Sequence, residues 1–362
     1  MKLLSFFTGG GFLDIGFQQA GFNVIWTNDV NPYFADMYAE GMSSWLKGQK
    51  IDKTVKISNQ NSICDISAKI IKKEAFGCTG VDGFGVIGGP PCPDFSKSGR
   101  HSGGAGKNGC LTGVFIDKIC ELNPDFFLLE NVFGLYRFQK HREYLFEQIK
   151  KLYQKKYVVD YNILDALDYG VPQTRERFFL IGIKRKTLEK KLGRKVKINE
   201  TGWFAWTEPQ YPNARKNYYW AKQNDFGRTP DCPSNVPLEL TVWHALSRPL
   251  DVTLLPNSAD FFHPYSQKFL RIKEGDTSGR CFKRLHRYRY SPTVGYGNQE
   301  VHLHPWEPRR ISVREALRLQ TVPDEYILPE KMNLSAKFKL VSNGVPCVLG
   351  YAVANALRNL LK

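Results

Sequence analysis

Leu3-Leu-Ser-Phe-Phe-Thr-Gly-Gly-Gly-Phe12 opens with a strand-sized apolar run and turns on three glycines into a stretch of helical spacing that closes at Ala20-Gly21. Apolar runs of similar size recur at 24–27, 84–87, 126–129, 158–163 and 178–183. Helical patterns lie between them: Phe115, Ile119 and Leu122 share one face, as do Leu145, Phe146, Ile149 and Leu152. Strands alternating with helices predict an α/β fold, a mostly parallel sheet with helices on both faces. Ligands on such sheets lie beyond the carboxyl ends of the strands, so the loops that follow strands hold the chemistry.

The 362 residues include 42% hydrophobic and 13% aromatic side chains, enough for a packed core and too many for a disordered chain. The length suggests two domains or one core with a large insertion. With 51 Lys and Arg against 35 Asp and Glu, the net charge of +16 points to a polyanionic partner, nucleic acid ahead of an acidic membrane surface. No apolar run approaches the ~18 residues of a membrane span. The opening run breaks at Thr8-Gly9, too soon for a signal-peptide core. Eight scattered cysteines without Cys-x-x-Cys read as reduced thiols in a cytoplasmic setting.

The alternation stops near Lys184. A basic run through Lys197 leads into an aromatic- and Pro-rich region, and Arg280, Lys283, Arg284, Arg287 and Arg289 later interleave with His286, Tyr288 and Tyr290. The chain therefore divides into 1–185, an irregular 186–300 and a return segment 301–362. A lysine run is usually a solvated face, whereas the denser Arg-rich cluster suits contact with nucleic acid. In the return segment, Ser312-Val-Arg-Glu315 is a capping box that opens a helix through Leu319, and a last helix covers 351–361.

Four motifs carry chemistry. The glycines after Phe7 let a ligand approach the backbone at a helix N-terminus, and Asp29 ends the next strand where such folds bind ribose hydroxyls. The turn is not Gly-x-Gly-x-x-Gly, so a nucleoside without a pyrophosphate fits better than a dinucleotide. Gly88-Gly-Pro-Pro-Cys92-Pro-Asp-Phe-Ser96 follows a buried run, and its prolines aim the Cys92 thiol out of the strand end as a nucleophile requires. A Gly-rich basic loop, 97–109, follows and is suited to closing over a substrate. Glu130 ends another buried run, where an unpartnered carboxylate would be costly, so a site is the better reading. Gln173-Thr-Arg175-Glu-Arg177 puts two arginines on one face of the last run. His302-x-His304 lacks a Cys or carboxylate at ligand spacing, so no metal is expected.

In this order, and with Arg310-Ile-Ser-Val-Arg-Glu-Ala-Leu-Arg-Leu-Gln320 and Asn343-Gly-Val-Pro346, the motifs resemble the DNA cytosine-5 methyltransferase family across nearly everything outside 186–300. The resemblance implies a Rossmann-like fold with S-adenosylmethionine as cofactor, S-adenosylhomocysteine as product, and a cytosine flipped out of duplex DNA as substrate. It implies Cys92 as the nucleophile at carbon 6, Glu130 as the acid at N3, Arg177 at O2 and Arg175 in support. Phe7 and Val30 would sandwich the adenine and Asp29 would bind the ribose. Gly9, Gly11, Ser62, Ile63, Pro90, Leu111, Asn343 and Val345 would complete the cofactor pocket. Ser96, Ser98 and Arg100 would meet DNA from the loop, and Lys283, Arg284, Arg287 and Arg289 from a target-recognition domain at 186–300. The last helix is expected beside the first motif.

Some positions depart from the family's pattern: Pro93 for Gln, Phe12 for Gly, Ser5 for Asp, Asn61-Ser-Ile for Gly-Asp-Ile, and Ser342 before Asn343 where glycine is usual. They predict weaker cofactor binding with the chemistry intact. The expected protein is a monomeric cytoplasmic enzyme of prokaryotic or phage type that modifies DNA sequence-specifically, with a cognate restriction endonuclease as a further partner. Two alternatives stay open, a tRNA cytosine-5 methyltransferase and a catalytically silent DNA-binding protein on the same scaffold.

Overall fold

The computed structural model describes residues 1–51, 58–77, 83–91, 110–247, 250–279, 281–296 and 300–362. One sheet contains β1 (Lys2–Phe6), β2 (Asn23–Asn28), β3 (Phe84–Gly88), β4 (Phe126–Val132), β5 (Tyr157–Asp165) and β6 (Glu176–Lys184), in the order β2-β1-β3-β4-β6-β5. The first four strands run parallel, and β6 runs antiparallel to both β4 and β5. Helices cover both faces, so the central strands are apolar on both sides: residues 126–129 are all fully buried. The expected mostly parallel sheet therefore contains one reversed strand.

The first half holds α1 (Phe12–Gln19), α2 (Pro32–Gly48), α3 (Ala68–Phe76), α4 (Cys110–Leu122), α5 (Gly134–Arg137) and α6 (Gln139–Gln154). Asn31 caps α2 by accepting from the Tyr33 and Phe34 amides, with Pro32 at the first helical position. In α6, Leu145, Ile149 and Leu152 are buried as expected, but Phe146 is 39% exposed, one step off the stripe, with its ring edge-on to Tyr136.

The middle of the chain contains α7 (Arg185–Leu192), α8 (Ala214–Asn217), α9 (Val242–Ser247) and single turns of 3-10 helix. Its side chains share the cores of the sheet domain. Trp203 and Phe204 lie in the cluster that includes Val158, Phe179 and Ile181, and Trp203 Nε1 donates to the Val159 carbonyl at 3.2 Å. Val242, Leu246, Val294 and Tyr296 share a second cluster with Phe12, Tyr38, Leu317 and Phe338.

The return segment forms α10 (Val313–Leu319), α11 (Leu334–Asn343) and α12 (Cys347–Leu361). The last helix begins four residues before the expected 351, directly after Pro346. It lies along α1 so closely that a Cβ on Gly16 would stand 2.5 Å from the Tyr351 amide nitrogen, and the Arg358 guanidinium donates to the Ala20 carbonyl. By length and composition alone 334–361 could cross a membrane, but α11 and α12 break at 344–346 and 67% of the apolar window is buried inside the fold.

The capping box forms as read: Ser312 Oγ accepts from the Glu315 amide at 3.2 Å, and Glu315 Oε2 accepts from the Ser312 amide at 2.7 Å. Arg309 adds a bidentate bond to the same fully buried carboxylate, at 2.8 and 2.6 Å. Burial alone would raise this carboxyl, but Arg309 and His304 outweigh it and hold Glu315 at about 2. A depressed carboxyl contributes stability above its unfolded value near 4.5, and that contribution is lost as pH falls toward 2. Glu315→Ala is expected to cost about 3–5 kcal/mol. It should also flatten the acid limb of a pH series of thermal melts; an unchanged limb would contradict this.

Candidate active site

Reversal of β6 builds the site. A parallel strand would start at the far edge, but an antiparallel one brings its first residues to the carboxyl end of β4, pairing Val132 with Arg177 and Glu130 with Phe179. Arg177 Nε lies 3.0 Å from Glu130 Oε1, with the two side chains only 11% and 10% exposed. Burial pushes the Glu130 carboxyl above its ordinary value, while Arg177 and then Arg175 pull it back. A carboxyl balanced in this way can carry a proton and give it up, as a general acid must.

The exit of β3 crosses directly over this acid. A Cβ on Gly89 would stand 2.7 Å from Glu130 Oε2, so a side chain there would push the carboxylate out of its place. Pro90 is buried and Pro91 exposed beyond it. Cys92, Ser96, Ser98 and Arg100 lie outside the described residues.

Arg175 is 1% exposed and precedes β6. Its Nη2 donates to the Ser342 carbonyl at 2.6 Å and its Nη1 to Gln173 Oε1 at 3.4 Å, while Gln173 Nε2 reaches the Leu319 carbonyl at 3.3 Å. Burial, then neighbouring Arg177, lowers the Arg175 guanidinium, and Glu130 opposes the shift. This side chain thus joins the Glu130 pair to the end of α11.

The ends of β1 and β2 form the second half of the site. Their register sets Phe6 beside Asn28, which places Phe7 and Asp29 at the same edge. Phe7, Gly9 and Gly11 all take left-handed backbone, with φ of 53°, 51° and 74°. Asp29 Oδ2 accepts from the Gly9 amide at 2.8 Å and Oδ1 from the Asn31 amide at 2.9 Å. Burial raises the Asp29 carboxyl, and the Asn31 and Gly9 amides moderate the shift. The Phe7 ring meets Phe115 edge-on at 5.9 Å, and Leu111 packs against the same cluster. Val30 is 64% exposed. Asn28 Nδ2 donates to the carbonyls of Asn59 and Asn61 at 2.8 and 2.9 Å, which draws Ser62 and buried Ile63 to the end of β2. Ser62 Oγ accepts from the Cys64 amide at 3.2 Å. Asn343 is exposed at the end of α11, whereas Val345 is buried in the core beside Leu349.

These residues fit S-adenosylmethionine. Among the described residues no atom beyond its chain neighbours comes within 4 Å of a Cβ built on Gly9, the buried Thr8 hydroxyl has no partner, and exposed Val30 follows the Asp29 carboxylate. Gly11 contributes differently: its amide goes to the Thr8 carbonyl at 2.7 Å and its Cα faces the Tyr38 ring. Gly9→Ala would add strain at positive φ and project a methyl into the open space. It is expected to weaken cofactor binding about tenfold by calorimetry, and an unchanged constant would remove Gly9 from the pocket.

The structure accommodates several departures. Ser5 Oγ donates to Asp14 at 2.6 Å inside the fold, where a second carboxylate would stand against the first. Phe12 has its space because position 344 is glycine; a Cβ there would fall 2.1 Å from the Phe12 ring. Ser342 serves Arg175 through its carbonyl.

Two expected DNA contacts are corrected. Arg284 is fully buried and donates to the carbonyls of Phe269, Ile272 and His304 at 2.8, 2.9 and 2.6 Å. Arg287 is 9% exposed and holds Glu274, itself fully buried, through Nε and Nη2 at 2.9 Å each. Both guanidinium groups are committed to holding irregular backbone together. Lys283 and Arg289 remain half-buried at the surface. His302 and His304 are buried structural residues: burial, then Lys283 and Arg310, hold His302 neutral at about 3, and His304 Nδ1 accepts the Glu307 amide at 3.0 Å. Neither Asn28 nor Gly89 was given a role by sequence reasoning; Gly89 lies within the Gly88–Ser96 motif and Asn28 directly precedes Asp29, which is the one signal available.

A family model described as C-5 cytosine-specific DNA methylase matches residues 1–359. The Type II methyltransferase M.NmeDI of Neisseria meningitidis serogroup C is 38% identical over 371 residues, covering 99% of this chain and 84% of the relative. M.MthTI of Methanothermobacter thermautotrophicus, also a Type II methyltransferase, is 27% identical and is covered to 98%, against 100% of this chain. Among solved structures, one described as a prophage-encoded DNA modification methyltransferase of E. coli superposes with a TM-score of 0.66 at 22% identity, covering 100% of this chain and 99% of that one. S. pombe Dnmt2 methyltransferase gives 0.61 at 14% identity, with 99% of each chain covered; both likenesses concern the fold. The family match takes in the sheet, the middle segment and the returning helices together, and by it the chain belongs to the C-5 cytosine-specific DNA methylase family.

Proposed function

We propose that this DNA cytosine-5 methyltransferase acts on a cytosine flipped out of duplex DNA, through a covalent bond between Cys92 and carbon 6. Carbon 5 of cytosine is a poor nucleophile. Addition of the Cys92 thiolate at carbon 6, with a proton from Glu130 at N3, converts the ring to an enamine whose carbon 5 can attack an electrophile. Arg177 steadies the charge at O2 and holds Glu130 in place. Loss of the carbon-5 proton then restores the double bond and expels Cys92. S-adenosylmethionine supplies the methyl group when bound. Phe7 and Val30 hold its adenine, Asp29 its ribose, and the turn at Gly9 its methionine end, with Ser62, Ile63, Pro90, Leu111 and Asn343 around them.

The observation that carries this reading is the Glu130–Arg177 pair, 3.0 Å apart and nearly buried, beneath the strand exit that leads to Cys92. Ser96, Ser98 and Arg100 contact DNA from one side, and the 186–300 region, with Lys283 and Arg289, from the other. Residues 1–185 and 301–362 form the catalytic domain. Relatives named as Type II methyltransferases support a role beside a cognate restriction endonuclease; the protein is proposed to work as a cytoplasmic monomer.

Bisulfite sequencing of DNA from expressing cells tests the proposal. One short sequence protected at every copy is expected. Unprotected DNA with methyl transfer to tRNA instead would replace it with an RNA-modifying activity.

A further inference from the structure

Three hydrogen bonds strap the middle segment to the chain just ahead of β6. The Ser291 amide donates to the Pro172 carbonyl at 2.9 Å, the Thr174 amide to the Ser291 carbonyl at 3.0 Å, and Thr293 Oγ1 to the Thr174 carbonyl at 2.6 Å. The next residue is Arg175, whose Nη atoms are engaged while its Nε is buried without a partner. Three residues beyond Thr293 stands Tyr296, 5% exposed, its ring edge-on to His302 at 5.8 Å and Phe338 at 5.2 Å. The Tyr296 hydroxyl is buried as well, and neither it nor Arg175 Nε has a hydrogen-bond partner among the described residues. Both side chains meet the same stretch of α11, Arg175 at the Ser342 carbonyl and Tyr296 at the Phe338 ring one helical turn earlier, and each acts electrostatically on the other. One orphan is an N–H donor and the other a hydroxyl acceptor, and buried polar groups left unmade are costly.

We propose that the Tyr296 hydroxyl accepts the Arg175 Nε–H through one buried water, and that Tyr296 is thereby a positioning residue that couples the DNA-reading segment to the Glu130–Arg177 pair. The inference rests on the reading of the 186–300 region as the part that contacts DNA. Tyr296 links three parts: the strap from that region, the α11 side chain Phe338, and the arginine that bonds the Ser342 carbonyl and acts electrostatically on Glu130. Arg177 of β6 and Glu130 of β4 act electrostatically on Arg175, and Glu315 of α10 acts on Tyr296. A shift of the strap on DNA would move Arg175 through the Thr174 backbone and through this hydroxyl at once.

Tyr296→Phe deletes the hydroxyl and keeps the ring contacts. Single-turnover methylation of duplex DNA is expected to slow about tenfold, with DNA affinity within about twofold of wild type. The Glu130-dependent limb of the pH profile should move to higher pH, because a loosened Arg175 depresses that carboxyl less. An unchanged rate and profile in the variant, with an active wild type, would overturn the inference. So would a slower variant whose melting temperature falls while its pH limb stays put. A high-resolution crystal structure of the wild-type protein decides the contact independently of activity. Density for one water joining Arg175 Nε to Tyr296 Oη supports it, and separate partners for the two atoms reject it. Wild-type inactivity on every duplex would instead count against the proposed function.

Discussion

Glu130→Gln lowers the rate of methyl transfer by about 10²- to 10³-fold while DNA affinity stays near that of the wild type. The substitution keeps shape and volume beneath Gly89, whose backbone passes close over the Glu130 side chain. It removes the one property the buried position supplies, a carboxyl raised by burial yet held in reach of ionisation by Arg177 and Arg175. An amide can hydrogen-bond to the ring but cannot deliver a proton to N3, so the enamine forms without neutralisation of its developing charge. Rapid-quench methylation of a cognate duplex measures the effect. A variant retaining a third of the wild-type rate would show that the ring is activated elsewhere.

Cys92→Ala removes methyl transfer altogether, a loss of at least about 10⁴-fold, because without addition at carbon 6 carbon 5 has no route to nucleophilicity. A duplex carrying 5-fluorocytosine separates this role from a structural one. Fluorine blocks loss of the substituent at carbon 5, so wild-type protein stays bonded to the strand through denaturing gels. The alanine variant should bind the duplex and leave no adduct. An adduct in the variant would assign the nucleophile to another residue. In the proposed mechanism Cys92 and Glu130 serve the same step, so the double substitution should be scarcely worse than Cys92→Ala alone.

The strand runs were legible because both faces of this sheet are covered, which makes residues such as 126–129 continuously apolar. The α1 turn was legible because positive φ at Gly9 and Gly11 selects glycine. Glu130 was legible for an energetic reason: a carboxylate at the end of a buried run needs a partner. The identity of that partner was harder, since Arg175 and Arg177 sit in a motif whose local pattern fits a surface ladder of ion pairs equally well. Phe146 was misplaced because one residue of helix is a rotation of about 100°, enough to leave the buried stripe.

From the residues alone came the α/β alternation, the glycine turn with its carboxylate, the Pro-Pro-Cys exit and the order of motifs. These depend on periodicity and on backbone constraints that act within a few residues. The direction of β6, the commitment of Arg284 and Arg287 to internal carbonyls and a carboxylate, and the reach of Arg175 to Ser342 were decided only by the folded chain. Hydrophobic periodicity reports which face of an element is buried; it carries no information on strand direction. A basic cluster reports charge, and whether a guanidinium meets solvent or protein is settled by groups brought in by the fold, 12 to 20 residues away for Arg284 and 167 for Arg175.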